Sequence, residues 1–428
     1  MHQRDGPFLY ELLLTPISLT SPATRRERTG SLPDRLRSGL KPLAVSCLLV
    51  GAGGVIGCHG PSIPADTESV APGVWHHAVN LIDGPWALHV VEIDLPTARK
   101  AGIRLHSARA PFDGLGLEKT SILAGNALAA VNGDFFYHGA PVRSSGMQVR
   151  AGELLEEPRP RSALAIGGDG ALHIDVFDLD AGLVTATGRV LPISHVNRDP
   201  RGASDLTYFN HHAQAWMDTV TADVGFVLQA LGSSDWSVAD TLRARVMQVR
   251  RHRWPLKLVP GQWLVAGGAD FAEEVVTPGD TVQLFRRLPP VKEGLREAIS
   301  GGPRIVRNGK VSIEHEAENL SASFATDRHP RTAVGIDDGG RTLFLVTVDG
   351  RQPGYSVGMS LAELAEFMST KLALFTKARV NAAQALNLDG GGSTTMVVGN
   401  QVVNRPSDQT GERTVANALL VTSTGGGD

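Results

Sequence analysis

Cysteine is almost missing from this 428-residue chain, which holds only Cys47 and Cys58. A disulfide scaffold and a four-cysteine zinc site are thereby excluded. Net charge is nearly missing too, at −3, which argues against a general nucleic-acid binder. The sequence has no HExxH helix. The pairs His76-His77 and His211-His212 have no further ligands at zinc-site spacing. What remains is a globular composition, 42% hydrophobic and 20% charged, with 48 glycines and 25 prolines to supply many turns.

The first 57 residues read as a leader. Residues 1–40 carry no periodic apolar face, and an apolar run then spans 42–57 behind Arg35, Arg37 and Lys41. A basic flank before a short apolar core is the pattern of a secretory signal. The run is too short for a comfortable membrane span, which needs about twenty residues. It ends in Val55-Ile56-Gly57-Cys58, which resembles the bacterial lipobox and marks Cys58 as the lipidated first residue of the mature chain. An ordinary signal peptide or an uncleaved anchor is the alternative. The leader takes seven basic and four acidic residues with it, leaving 34 and 40, a mature net charge of −6. The expected location is therefore exported and lipid-anchored to the bacterial membrane, on the periplasmic or cell-surface side. Residues 58–72 read as a tether and 73–424 as a single large domain, with 195–260 either an insertion or a long-loop region.

Within that domain, short β-branched or alternating runs at 86–95, 128–136, 171–179, 341–350 and 385–398 are each bounded by turn residues. The best helix begins after Ser360, with Glu363 completing a capping box and Leu361, Leu364, Phe367 and Met368 on one face. Residues 293–299 are a weaker helical candidate. Many strands, few helices and no βαβ alternation predict an α+β fold with mixed β-sheets and few peripheral helices.

The strongest local pattern for chemistry is Asp389-Gly390-Gly391-Gly392-Ser393-Thr394-Thr395 at a strand end. Glycines there let backbone N–H groups turn toward one point, where an anion or sugar can approach. Neither a Walker loop, which needs a lysine, nor a GxGxxG fingerprint fits. A plain tight turn is the bland reading. Asn132 and Asp134 share a face if their strand continues, and Phe135 and Phe136 can form a sugar-stacking wall, although at least one is expected in the core. Arg143 follows on a loop as a further donor. Arg304 and Arg331 sit beside structure breakers and can clamp a phosphodiester or simply pair with a carboxylate. Asp349 ends another strand, and with Asp389 it can form a carboxylate pair for acid/base work or a metal site. Asp337-Asp338-Gly339-Gly340 lacks the oxygen spacing of a calcium loop and reads as a hairpin turn.

AVNGDFF at 130–136, SGGPRIVRNGK at 300–310, HPRTAVGID at 329–337, the stretch 343–368, and ALNLDGGGSTTMVV with its continuation to 421 come in an order that resembles the phosphodiester glycosidase family. The resemblance implies hydrolysis of a sugar-1-phosphodiester at the anomeric C–O bond, releasing a free, GlcNAc-like sugar and a phosphomonoester. It implies a glycan or sugar-phosphodiester partner in the envelope and no cofactor, with a divalent metal not excluded. Asp389 and Asp349 are then the catalytic candidates. Asn132, Asp134, Arg143, Arg304, Arg331, Gly390, Gly391, Gly392, Ser393 and Thr394 are the substrate-binding ones, with Asn132, Arg304 and the two aspartates expected in one cleft. Asp134 departs from the family, where glycine is usual, and 369–384 is longer than expected. The alternatives are a non-catalytic carbohydrate-binding lipoprotein and a phosphodiesterase cutting the phosphate side, although the paired metal ligands of the latter are not evident.

Overall fold

The computed structural model describes residues 65–82, 84–111, 116–137, 142–213, 220–233, 236–237, 239–251, 256–271 and 276–424. Cys58 and the leader lie outside them. Within these residues, no helix is long and apolar enough to cross a membrane.

The fold is α+β, with mixed, mostly antiparallel sheets and a few short helices. One eight-stranded sheet runs in the order Ala65–Ala71, Val74–Leu81, Trp86–Asp94, Thr342–Val348, Arg331–Ile336, Gln384–Asn387, Arg304–Arg307, Lys310–Val311. Its central strands are buried along their whole length, as in Thr342–Val348, which explains their nearly continuous apolar sequence. One face packs Val91, Ile93, Val334, Leu345 and Leu386 against Val131, Leu419 and Val421 of a five-stranded sheet that contains Ala129–Asn132, Met396–Val398 and Asn417–Ser423. The other face carries Val90, Phe344 and Val346 under the helix Leu361–Glu366. Each fully buried side chain of this kind contributes roughly 1.5–3 kcal/mol.

The helix starts as its sequence dictates, with Ser360 and Glu363 forming a reciprocal capping box. It then widens into a π turn at Phe367–Lys371, and the long stretch behind it is tied to the sheet by Glu92. That buried carboxylate accepts from the backbone N–H of Lys377 and Ala378, 2.6 Å each, and pairs with His77 at 2.8 Å. The Asp337–Gly340 turn joins two antiparallel neighbours, as its composition predicts.

One expectation needs correction. Residues Leu295–Ser300 form a strand, not a helix. It is sandwiched between Ser162–Gly167 and Gln148–Arg150, and pairing on both sides outweighs local helical preference. The segment 195–260 contributes the strands His195–Val196, Leu206–Phe209, Val224–Ala230 and Thr241–Arg251. It belongs to a second eight-stranded sheet formed between Asp180 and Arg287, with one parallel pair, His195–Val196 beside Leu206–Phe209. Its strand Thr241–Arg251 alternates exposed arginines with buried Leu242, Ala244 and Val246.

Candidate active site

The chain crosses from the large sheet to the five-stranded one between Leu388 and Thr395, and the candidate site lies at that crossing. Gln384–Asn387 delivers Asp389, and Gly391–Ser393 make one 3-10 turn before Met396–Val398 joins the second sheet. Gly391 has φ +62°, the left-handed region, and Gly392 is packed so closely that a Cβ would run into the Asp408 and Arg413 side chains. Position 391 therefore requires glycine, whereas a methyl at 392 would push those two side chain ends aside.

Three bonds made by Asn132 hold this crossing. Its Nδ2 donates to the Asp389 carbonyl at 2.7 Å, and its Oδ1 accepts from Thr332 Oγ1 at 2.7 Å and Thr395 N at 3.1 Å. The Asp389 N–H donates to Gly133 O at 2.9 Å, so the backbone carrying the carboxylate is fixed from both sheets. The Asp389 side chain, only partly exposed, lines a pocket of about 330 Å³ with Phe135, Phe136 and Arg413. Burial raises its pKa to about 6. Ser393 and the Gly390 N–H oppose that rise, Asp134 adds to it, and Arg413 offsets it slightly. Asp389 thus titrates near neutrality, as a residue poised for proton transfer does.

Neither aromatic is in the core. Phe135 and Phe136 are both half-buried, and Phe135 makes an edge contact with Phe324 at 5.7 Å. The strand of Asn132 ends at that residue, so Asp134 does not share its face. Asp134 is fully buried, accepting from Ser144 Oγ at 2.9 Å and Gly146 N at 2.7 Å, with Arg161 3.4 Å away. It influences Asp389 through its charge rather than by lining the pocket. Ser393 and Thr394 are buried under the turn, and Gly390 is partly exposed.

The two arginines expected to clamp phosphate point elsewhere. Arg331 donates to the carbonyls of Met359, Phe324 and Asp327 at 2.8–2.9 Å, and burial lowers its pKa to about 10. Arg304 opposes Leu386, but its guanidinium reaches toward Gln384, at the far end of that strand from Asp389, and toward Asp175 at 3.6 Å. Arg304 therefore does not join the cleft. Arg143 grips Glu156 through two bonds of 2.7 and 2.9 Å.

The cationic groups at the glycine turn are instead Arg413, which pairs with Asp408 at 2.9 Å, and Arg351. A Cβ on Gly391 would stand 3.1 Å from the Arg351 guanidinium, which also lies 3.3 Å from His329 Nδ1. Among the described residues no carboxylate pairs with Arg351. The sequence offered one clue to it, a non-glycine residue directly after Val348-Asp349-Gly350; Arg351 has φ +59°. Asp349 is buried, and its carboxylate accepts from Tyr355 Oη at 2.9 Å, Asn404 Nδ2 at 3.0 Å and Arg405 N at 3.0 Å. Asn404 also donates to Thr394 O at 3.1 Å, so Asp349 reaches the glycine turn through one intermediary.

Residues 255–422, which include the glycine turn and every cation around it, match the family model for phosphodiester glycosidase. The chain resembles the phosphodiester glycosidases. The proteins named N-acetylglucosamine-1-phosphodiester alpha-N-acetylglucosaminidase from Bos taurus and Mus musculus are 33% and 31% identical to it over 121 residues. Those residues are 26% of this chain and 21% of each relative, so the chain spans about a fifth of the length of the curated relatives it matches. A solved hypothetical protein from Synechocystis has a TM-score of 0.64 at 21% identity, covering 85% of this chain and 64% of its own. A protein from Burkholderia pseudomallei K96243 has a TM-score of 0.58 at 24% identity, covering 79% and 74%. At those identities the likeness is one of fold. It extends well beyond the family-matched segment.

Proposed function

We propose that this chain hydrolyses a sugar-1-phosphodiester at the anomeric C–O bond, with Asp389 as the reacting carboxylate. The carrying observation is Asp389 itself: a carboxyl group with a pKa near 6, in a pocket walled by two half-buried phenylalanines, beside a glycine turn flanked by Arg351 and Arg413. The names of the similar mammalian proteins supply the substrate class, an N-acetylglucosamine 1-phosphodiester.

In this reading a sugar ring lies against Phe135 and Phe136, and the phosphodiester meets the turn N–H groups and the two arginines. The C1–O bond breaks, and its electron pair leaves on the phosphate oxygen, which needs little protonation because the phosphate is already a good leaving group. Water supplies the new oxygen on C1 and gives its proton to the Asp389 carboxylate, which also stabilises positive character at that carbon. Asn132 and Asp134 are positioning residues, the first through the Asp389 backbone and the second through its charge.

The test incubates the full chain, and Asp389→Asn beside it, with a GlcNAc 1-phosphodiester and identifies products by mass spectrometry. Free GlcNAc, lost in the variant, supports the proposal. Sugar 1-phosphate would assign cleavage to the phosphate side, and saturable binding without product would make this a carbohydrate-binding protein. We also propose export with a lipid anchor on Cys58. Metabolic labelling with an alkynyl fatty acid should mark the wild type and miss Cys58→Ala.

A further inference from the structure

The adjacent histidines that lack a third ligand in the sequence acquire one in the fold. Glu153, 59 positions before His212, meets both rings: its carboxylate lies 3.0 Å from His212 Nε2 and 3.9 Å from His211 Nδ1. Ligand atoms from all three residues fall within 4.8 Å of one another, which happens nowhere else among the described residues. We propose that Glu153, His211 and His212 form a binding site for a divalent transition metal, zinc above all, separate from the Asp389 pocket.

The chemistry and geometry favour an ion over a simple hydrogen-bonded pair. Two imidazoles and a carboxylate are a common zinc donor set, and ligand bonds of about 2.1 Å put tetrahedral donor atoms roughly 3.4 Å apart. The 3.0 and 3.9 Å separations bracket that spacing. The rings stand 4.0 Å apart at 37°, so both present nitrogen to the same carboxylate instead of diverging.

The turn that carries the histidines is also fixed in advance. Buried Asn210 accepts from the His212 N–H at 3.1 Å and donates to Leu154 O at 3.1 Å, the residue next to Glu153. This bracket ties the backbone of the histidine turn to the strand that bears the carboxylate, which fixes where the two rings start. Glu153 and His211 also line a pocket of about 190 Å³ with Trp236 and Trp263, whose rings meet edge-on at 5.6 Å. Three protein ligands leave a fourth position for water or a small oxygen ligand, and the pocket gives it access.

The experiment strips the full-length protein with a chelator and titrates it with Zn²⁺ by calorimetry, then records the visible spectrum with Co²⁺. One equivalent bound by the wild type, with the intense bands of low-coordinate Co²⁺, is the expected result. Affinity should fall on the order of 100-fold or more in His211→Asn/His212→Asn, since even supporting residues cost tenfold to 100-fold. Circular dichroism of the metal-free proteins controls for folding, and the near-isosteric Glu153→Gln gives the readout if the double variant does not fold. Failure of the wild type to bind Zn²⁺, or unchanged binding in the folded variants, overturns the proposal. Both readouts are independent of the hydrolase assay.

Discussion

Asn132 Nδ2 donates a 2.7 Å hydrogen bond to the carbonyl of Asp389, so a residue at the end of one sheet fixes the backbone from which a carboxylate leaves another. The same side chain accepts from Thr332 and Thr395, and none of the three partners is replaced if it is removed. Asn132→Ala should therefore cost about 3 kcal/mol or more in denaturant unfolding, given ~1–3 kcal/mol for each buried polar group left unpaired. Activity measured at a temperature where the variant stays folded should also fall, because the Asp389 carboxylate loses its fixed origin.

Asp389→Asn should act in the opposite direction on stability. A carboxyl with a pKa near 6 when folded and about 3.9 when unfolded binds protons more readily in the folded state, so stability falls as pH rises from about 4 to 6. Above pH 6 the cost is fully present, at most roughly 3 kcal/mol for a two-unit shift. Removing the charge should raise the melting temperature at pH 7 and leave it little changed at pH 4. Turnover should drop by roughly 10²–10⁴-fold. A variant both inactive and less stable at pH 7 would remove Asp389 from this role.

The same pKa sets the rate profile. If the carboxylate form takes the proton from water, kcat/KM should fall about tenfold per unit below pH 6 and level off above it. Activity that instead declines as pH rises through 6 would make Asp389 the proton donor.

Much of this site could be read from the chain because its signals are local. Three consecutive glycines after Asp389 foretold the turn, and Ser360 with Glu363 foretold a helix start that the structure realises in full. What could not be read was direction. Arg304 and Arg331 lie beside the right breakers, yet a strand register and three backbone carbonyls turn their guanidinium groups away. Arg351 and Arg413 reach the turn only because sequence-distant loops fold over it. Leu295–Ser300 was misread for the same reason: strands on both sides, far away in sequence, decide its conformation.

Gly392→Ala tests that loop arrangement. The added methyl would displace Asp408 and Arg413, whose side chains are flexible enough to move, so the fold should lose little stability. Displacing Arg413 from the Asp389 pocket should raise KM for a phosphodiester far more than it shifts the melting temperature. Arg413→Gln, which removes the charge without the methyl, should raise KM likewise and become less sensitive to salt.

Asp349 shares the strand-end position of Asp389 but has different surroundings, so its substitution should leave a different signature. Burial raises its pKa, yet Asn404, Arg405 N–H and Tyr355 all donate to it, and Tyr355 is itself pushed up to about 12 by burial first and by that carboxylate second. Asp349→Asn keeps the volume but points an amide N–H at donors that need an acceptor, and should destabilise the protein by about 1–3 kcal/mol. Asn404→Ala breaks the same connection to Thr394 O from the other side and should destabilise the protein likewise. In both variants the fall in rate below pH 6 should persist, because Asp389 remains in place. If that limb vanished in Asp349→Asn while the melting temperature held, Asp349 would have to be the group exchanging the proton. Three donors spent on its two oxygens argue against that.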